Sequence, residues 1–357
     1  MAMLIVLVLT GTTCRVARAS DLYLCMGSFL LVVLLVNLYW WSIYYETITL
    51  MAILFYAYNA SIMVFLVSII RSAPAQALAA TQLGLLAGIL IETAATVLMP
   101  ESTFRGVGTF NNPNQLGYWS LLIAACWLVT RGDRQLGLLD LGVLMMVGHL
   151  IAVSLSKAAM IAFGLLLILA AFGQGLRSRP LIGAFALLVV TSQLLLAVPD
   201  QLQVWTTDMM SEGQVAKVLK RFDSLGKHGD DSVAGRGYDR IWRYPEYLFF
   251  GVGEGVAYRL LKGGDEFNEL HSTWGMVLFS YGIGGFVLFV AMLITIFRRA
   301  PWRHSLYFVP IVLYGLTHQG LRFSMLWVFL GLVFGLAHVG HRTPPRAVRP
   351  AIDSRLS

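Results

Sequence analysis

Arg236, Arg240 and Arg243 recur at i, i+4 and i+7, the spacing that puts three guanidinium groups on one face of a helix. Downstream, His271-Ser272-Thr273-Trp274 places an imidazole at the head of a long apolar segment. Guanidinium forks match phosphate oxygens in pairs, which an ammonium group does not. An unperturbed imidazole titrates near pH ~6.5, so it can take a proton from a hydroxyl or orient one. Together these groups suit the handling of an anionic substrate at one membrane surface. The plainer reading of the arginines is a solvated face paired with Asp239 and Glu246. Their position at a membrane border, within one segment of His271, favours anion binding.

Other polar residues fall near the same surface. Thr109-Phe110-Asn111-Asn112-Pro113-Asn114-Gln115 precedes an apolar helix. An Asn N-cap explains part of this run, and Asn112 and Asn114 are also candidates for sugar hydroxyls. Ser154-Leu155-Ser156-Lys157 joins two apolar runs, and Lys157, Arg105 and Arg322 are the cations of the short connections on this side. His318 shares the last connection with Arg322. Glu269 and Glu254 rival His271 as proton acceptor, and both are candidates for substrate contact. Glu92, inside an apolar run, is a functional candidate or a partner for Arg105 or Lys157. Gly251-Val252-Gly253-Glu254-Gly255 is a phosphate-binding turn or only a tight turn after Phe249-Phe250 dips into the interface.

The elements that must position these residues are membrane helices. Apolar residues make up 57% of the 357-residue chain and charged residues 13%, with a mean hydropathy of +0.72. Runs long enough to cross a bilayer fall at 22–40, 47–70, 76–99, 115–130, 136–154, 158–173, 180–198, 271–297, 304–317 and 322–340. Backbone polar groups in lipid must be satisfied within the segment, so the runs are helices. A shortened further helix before Cys14 brings the expectation to an all-α bundle of about ten or eleven spans. Most arginines of the short connections, from Arg71 and Arg131 to Arg298, Arg299 and Arg303, sort to one side, which the positive-inside rule makes cytoplasmic. The division is 1–198 for the N-terminal helices, 199–270 for a long periplasmic segment, 271–340 for the C-terminal helices and 341–357 for a cytoplasmic tail. Within the long segment, Gln214–Phe222 has the pattern of a surface-lying helix, and Gly226–Asp231 reads as a turn or link. Pro245 limits any helix that carries the arginines.

Several classes drop out. Cys14, Cys25 and Cys126 show neither ligand spacing nor a disulfide framework. Acidic residues outnumber basic ones in 199–270, so the net charge of +7 reflects topology and does not point to nucleic acid. There is no HExxH, no P-loop and no GxSxG. No cofactor and no metal ligand are expected.

Four features in order resemble the O-antigen polymerase and ligase superfamily of bacterial envelope glycosyltransferases. They are Thr109 to Asn114, Ser154 to Lys157, Gly235-Arg236 leading to Gly251–Gly255, and His271-Ser272 followed after nine residues by Gly282-Ile283-Gly284-Gly285. The resemblance spans roughly residues 100–300. It implies a GT-C-type protein of the bacterial inner membrane that works without a metal at the periplasmic face. It implies a donor glycan on polyprenyl (undecaprenyl) diphosphate. The acceptor is a second carrier-linked repeat in a polymerase, and lipid A–core or protein in a ligase. A chain-length regulator is the partner protein that polymerisation implies. Lys157 stands where Arg is common in the family. Under this reading His271, Arg236 and Arg240 carry the catalysis, with Lys157, Arg105, Arg243, Asn112, Asn114, Glu254, Glu269 and Arg322 on substrate. A transporter of lipid-linked sugars is the rival from another class. It would place polar groups near the bilayer midplane, whereas here they gather at one face.

Overall fold

The structure is a computed structural model that describes residues 20–98, 106–132, 134, 136–173, 236–255 and 270–340. The expected helices before Cys14, at 180–198 and at 214–222, the 226–231 link, Arg105, Glu269 and the 341–357 tail lie outside the described residues. Among the described residues every regular element is a helix. In chain order they are α1 (Ser20–Tyr44), α2 (Thr47–Ser72), α3 (Pro74–Leu98), α4 (Pro113–Arg131), α5 (Leu138–Ser154), α6 (Lys157–Gly173), the one-turn α7 (Arg240–Arg243) and α8 (Tyr247–Phe250), then α9 (Thr273–Phe297), α10 (Trp302–Thr317) and α11 (Ser324–Gly340). The nine long helices coincide with expected spans. Four of them, α1, α2, α3 and α9, are long and apolar enough to cross a membrane, and shorter apolar helices stand beside them. Leu24, Leu83 and Ile91 face outward from α1 and α3, as a polytopic helical membrane protein requires.

Helix ends follow local chemistry. Asn112 caps α4 by accepting the Asn114 N–H at 2.8 Å, with Pro113 at the first helical position. Ser272 caps α9 by accepting the Gly275 N–H at 3.2 Å. At the opposite end of the bundle the buried Asp140 carboxylate takes the Trp127 indole N–H at 2.9 Å, the Gly137 N–H at 2.7 Å and an ion pair with Arg131 at 2.9 Å. Asp21 pairs with Arg298 at that end. Packing between helices uses small residues. Gly331 and Gly335 of α11 lie against Met63 and Ile70 of α2, close enough that a Cβ at Gly331 would stand 3.4 Å from the Met63 carbonyl oxygen.

One span is broken. Gly282 in α9 has φ 67° and ψ −177°, a conformation that only glycine adopts without strain. The extended Gly251–Gly255 segment lies along this break. The N–H of Val252 donates to the Phe279 carbonyl at 2.9 Å, and that of Gly253 to the Ser280 carbonyl at 2.8 Å. The segment therefore supplies donors to carbonyls next to the break, as buried backbone in a bilayer demands. A Cβ on Gly282 would collide with the Phe249 carbonyl, and one on Gly251 with the Ser280 carbonyl. The close approach requires glycine on both sides.

Candidate active site

The Arg236–Arg243 stretch differs from a single helical face. Gly237 has φ +73°, which turns the chain and confines the helix to one turn, Arg240–Arg243. The residues before Pro245 end it, as expected. The three arginines consequently have different surroundings. Arg236 donates through its guanidinium to the Thr317 carbonyl at the end of α10. Arg240 is 8% exposed, and its side chain folds beside Gly237, where a Cβ would stand 3.6 Å from Nε and Cζ. Arg243 is half exposed and pairs with Asp239 at 3.1 Å, the solvated arrangement.

The head of α9 meets this turn directly. The His271 N–H donates to the Arg236 carbonyl at 3.0 Å, and the His271 side chain is exposed. The Tyr238 hydroxyl donates to the Leu316 carbonyl. Leu270 packs over Gly237 and Gly275, with no room for a side chain at Gly275. The 317–320 turn is the second support. The Ser272 hydroxyl donates to the Gly315 carbonyl at 3.1 Å, and the Thr273 hydroxyl to the His318 carbonyl at 3.0 Å. The Gly320 N–H returns a bond to the Thr273 hydroxyl oxygen at 2.9 Å. His318 is held at Nδ1 by the Thr317 hydroxyl at 2.9 Å and stacks on Tyr314, which stacks on Tyr118 with ring centres 4.4 Å apart.

This turn also receives the α4 end of the site. The Tyr314 hydroxyl donates to the Asn114 carbonyl at 2.9 Å. Gly117 of α4 faces Ser154, Ser156 and Ala159, so Lys157 enters beside the same helix. Lys157 is 9% exposed, with its long stem inside the protein. Asn112 serves as the cap. Glu92 is buried and accepts the Thr109 N–H at 2.8 Å and the Thr109 hydroxyl at 2.7 Å, which fixes the loop before α4. Among the described residues the partner of Glu92 is Thr109, a residue of the motif itself.

Glu254 and Arg322 form a separate ion pair within the same end. Glu254 is 2% exposed. Its carboxylate also accepts from the Tyr56 hydroxyl and from the Tyr281 hydroxyl at 2.6 Å, and its N–H donates to Asn37 Oδ1 at 3.1 Å. The N–H groups of Val252, Gly253 and Glu254 are all committed to protein acceptors, so the glycine-rich segment is a structural insert and not a phosphate cradle. Asn37, Tyr56, Asn59 and the Tyr118–Tyr314–His318 stack carry no motif. The available signal is a polar side chain inside an apolar helix, as at Asn37 and Asn59.

The site end thus gathers Arg236, Arg240, His271, His318, Asn114, Lys157 and Arg322 around the heads of α4, α6 and α9 and the α10–α11 turn. Residues 141–290 match the family model described as O-antigen ligase. This match agrees with the O-antigen polymerase and ligase superfamily. The family segment runs from α5 into α9 and includes Lys157, Arg236, Arg240, Glu254 and His271; Asn112, Asn114 and Arg322 stand outside it. Of the four motif features, Ser154–Lys157, Gly235–Gly255 and His271–Gly285 fall inside the matched segment, and Thr109–Asn114 precedes it. No curated protein matches the chain. Members of this family handle envelope glycans as membrane-bound polymerases or ligases, and the apolar helices agree with that setting.

Proposed function

We propose that the protein is a metal-independent, inverting glycosyltransferase of the inner membrane. It takes a glycan from polyprenyl diphosphate at the periplasmic face and adds it to a second carrier-linked repeat. The observation that carries this reading is the bond from the His271 N–H to the Arg236 carbonyl, which ties a proton acceptor to a pair of phosphate-matching cations. In the step, the acceptor hydroxyl oxygen bonds to the anomeric carbon from the face opposite the leaving group. The bond from that carbon to the diphosphate oxygen breaks, and polyprenyl diphosphate leaves with the electron pair. The acceptor proton passes to the imidazole of His271. Arg236 and the buried Arg240 face the developing negative charge, where fixed cations away from bulk water act most strongly. Lys157 and Arg105 assist on the same anion. Single displacement inverts the anomeric configuration.

The family description favours a second reading, ligation to lipid A–core or to a protein. Deletion of the gene followed by lipid and glycan analysis tests both. Accumulated single repeats on the carrier are the expected result for a polymerase. Long chains left on the carrier would identify a ligase. Unchanged envelope glycans and carrier lipids would refute both.

A further inference from the structure

Glu254 stands where three site-bearing elements cross. Its own segment follows the Arg236–Arg243 turn, Tyr281 belongs to the helix headed by His271, and Arg322 belongs to the turn that carries His318. The main chain at Arg322 is fixed independently. Its carbonyl accepts from Asn59 Nδ2 at 3.0 Å, and Asn59 Oδ1 takes the Ser324 hydroxyl at 2.7 Å. Glu254 engages the Nε edge of the side chain.

Two features set this pair apart from ordinary packing. A buried ion pair gives little net stability over an apolar pair of the same shape, so stability does not account for it. The two partners are also unequally buried. Glu254 is sealed by Tyr56 and Tyr281, whereas the Arg322 side chain keeps 24% exposure. The carboxylate is the sealed member, and the Arg322 side chain is the one that keeps contact with the surface. Asn37, Tyr56 and Asn59, from two apolar helices, are all committed to holding these two residues.

We propose that Glu254 is a positioning residue: it holds the Arg322 guanidinium at the site mouth so that this cation meets the diphosphate of the donor. The inference rests on the donor reading above. It gives Glu254 no role in proton transfer, because its carboxylate already accepts from three donors.

The test uses the purified full chain in lipid nanodiscs and geranylgeranyl diphosphate as the probe, with binding read from intrinsic tryptophan fluorescence. Glu254→Gln and Arg322→Gln should each weaken binding roughly tenfold or more, the effect of one lost charged hydrogen bond. The double variant should bind no worse than Arg322→Gln, since both changes remove the same cation from the site. It also leaves no uncompensated buried charge, so it should insert even if Glu254→Gln does not. Glu254→Asp, one methylene shorter, should fall between wild type and Glu254→Gln. In transfer assays Glu254→Gln should raise the donor KM and leave kcat largely unchanged; a packing defect would lower the active fraction at constant KM. Wild-type affinity in folded Glu254→Gln or Glu254→Asp, or in the double variant, would overturn the proposal. So would losses that multiply. Failure of the wild type to bind the probe would overturn the donor reading and this inference with it, whereas binding by wild type and Glu254→Gln alike removes only the role of Glu254.

Discussion

The N–H of His271 donates to the carbonyl oxygen of Arg236 at 3.0 Å, which joins the head of one membrane helix to a turn distant in sequence. The Arg236 guanidinium continues to the Thr317 carbonyl at the end of a second helix. Three stretches of chain thus meet at these two residues through main-chain carbonyls.

The arginines of that turn should be needed for transfer. Replacing Arg236 or Arg240 by Ala should lower glycan transfer at least tenfold, since a hydrogen bond to a charged group contributes about 1.5–3 kcal/mol. Lys should restore only part of the activity because the fork is lost. Membrane insertion should be unchanged in a fractionation assay. Full activity in both Ala variants at normal expression would leave the arginines as a solvated face.

His271 should tolerate neither Ala nor Arg, and Gln should keep a trace of activity if its task is only to orient a hydroxyl. Each variant should still bind the lipid diphosphate, because the arginines remain. Transfer should persist in a chelator. Unchanged turnover in His271→Ala would move the proton acceptor elsewhere. Loss in chelator restored by a divalent cation would demand a metal.

The broken helix makes a prediction about stability. Gly282→Ala and Gly251→Ala each place a Cβ at positive φ against a carbonyl of the other segment. Strain of this kind costs about 1–3 kcal/mol at a single residue before the collision is counted. Both variants should unfold at lower temperature in detergent, measured by a thermal-shift assay. Gly284→Ala is the control, since a Cβ there meets nothing within 4 Å. Equal melting of all three would show that the insert does not depend on the break.

Orientation is open to direct chemistry. On a background lacking Cys14, Cys25 and Cys126, Ser232→Cys should react with an impermeant thiol reagent in intact spheroplasts. Arg299→Cys, at the other end of α9, should react only after the membrane is opened. The reverse pattern would invert the protein and remove the periplasmic mechanism.

Much of the helical framework was legible because apolar length alone specifies it. One cap was legible where one side chain does the work: Asn112 before Pro113 caps as its type suggests. The Ser272 cap was not read from the sequence, where Ser272 stood only as part of the motif after His271. The motif residues were legible as a set, and the structure brings Arg236, His271, Asn114 and Lys157 to one end. Their individual surroundings were not. The i, i+4, i+7 spacing of the arginines suggested a helix, but Gly237 at positive φ turns the chain, so only Arg240 becomes buried. Glu254 sat in a glycine-rich stretch that read either as a phosphate-binding turn or as a tight turn, and its neighbours' N–H groups serve the break at Gly282. Partners such as Asn37 and Tyr56 lie far off in sequence, and no local pattern links them to Glu254 or Arg322.

The tie from Arg236 to Thr317 has a consequence for how the protein is made. A chain is synthesised from its N-terminus, and early segments fold first. When residues 236–255 emerge, Asn37 and Tyr56 already exist, but Tyr281, Leu316, Thr317 and Arg322 do not. The Glu254 carboxylate must therefore wait for Arg322 until the α10–α11 turn is made. A ribosome stalled before residue 322 would hold a chain with its arginines made and its site unassembled. Insertion of the α10–α11 pair is thus the step that brings the parts of the candidate site together.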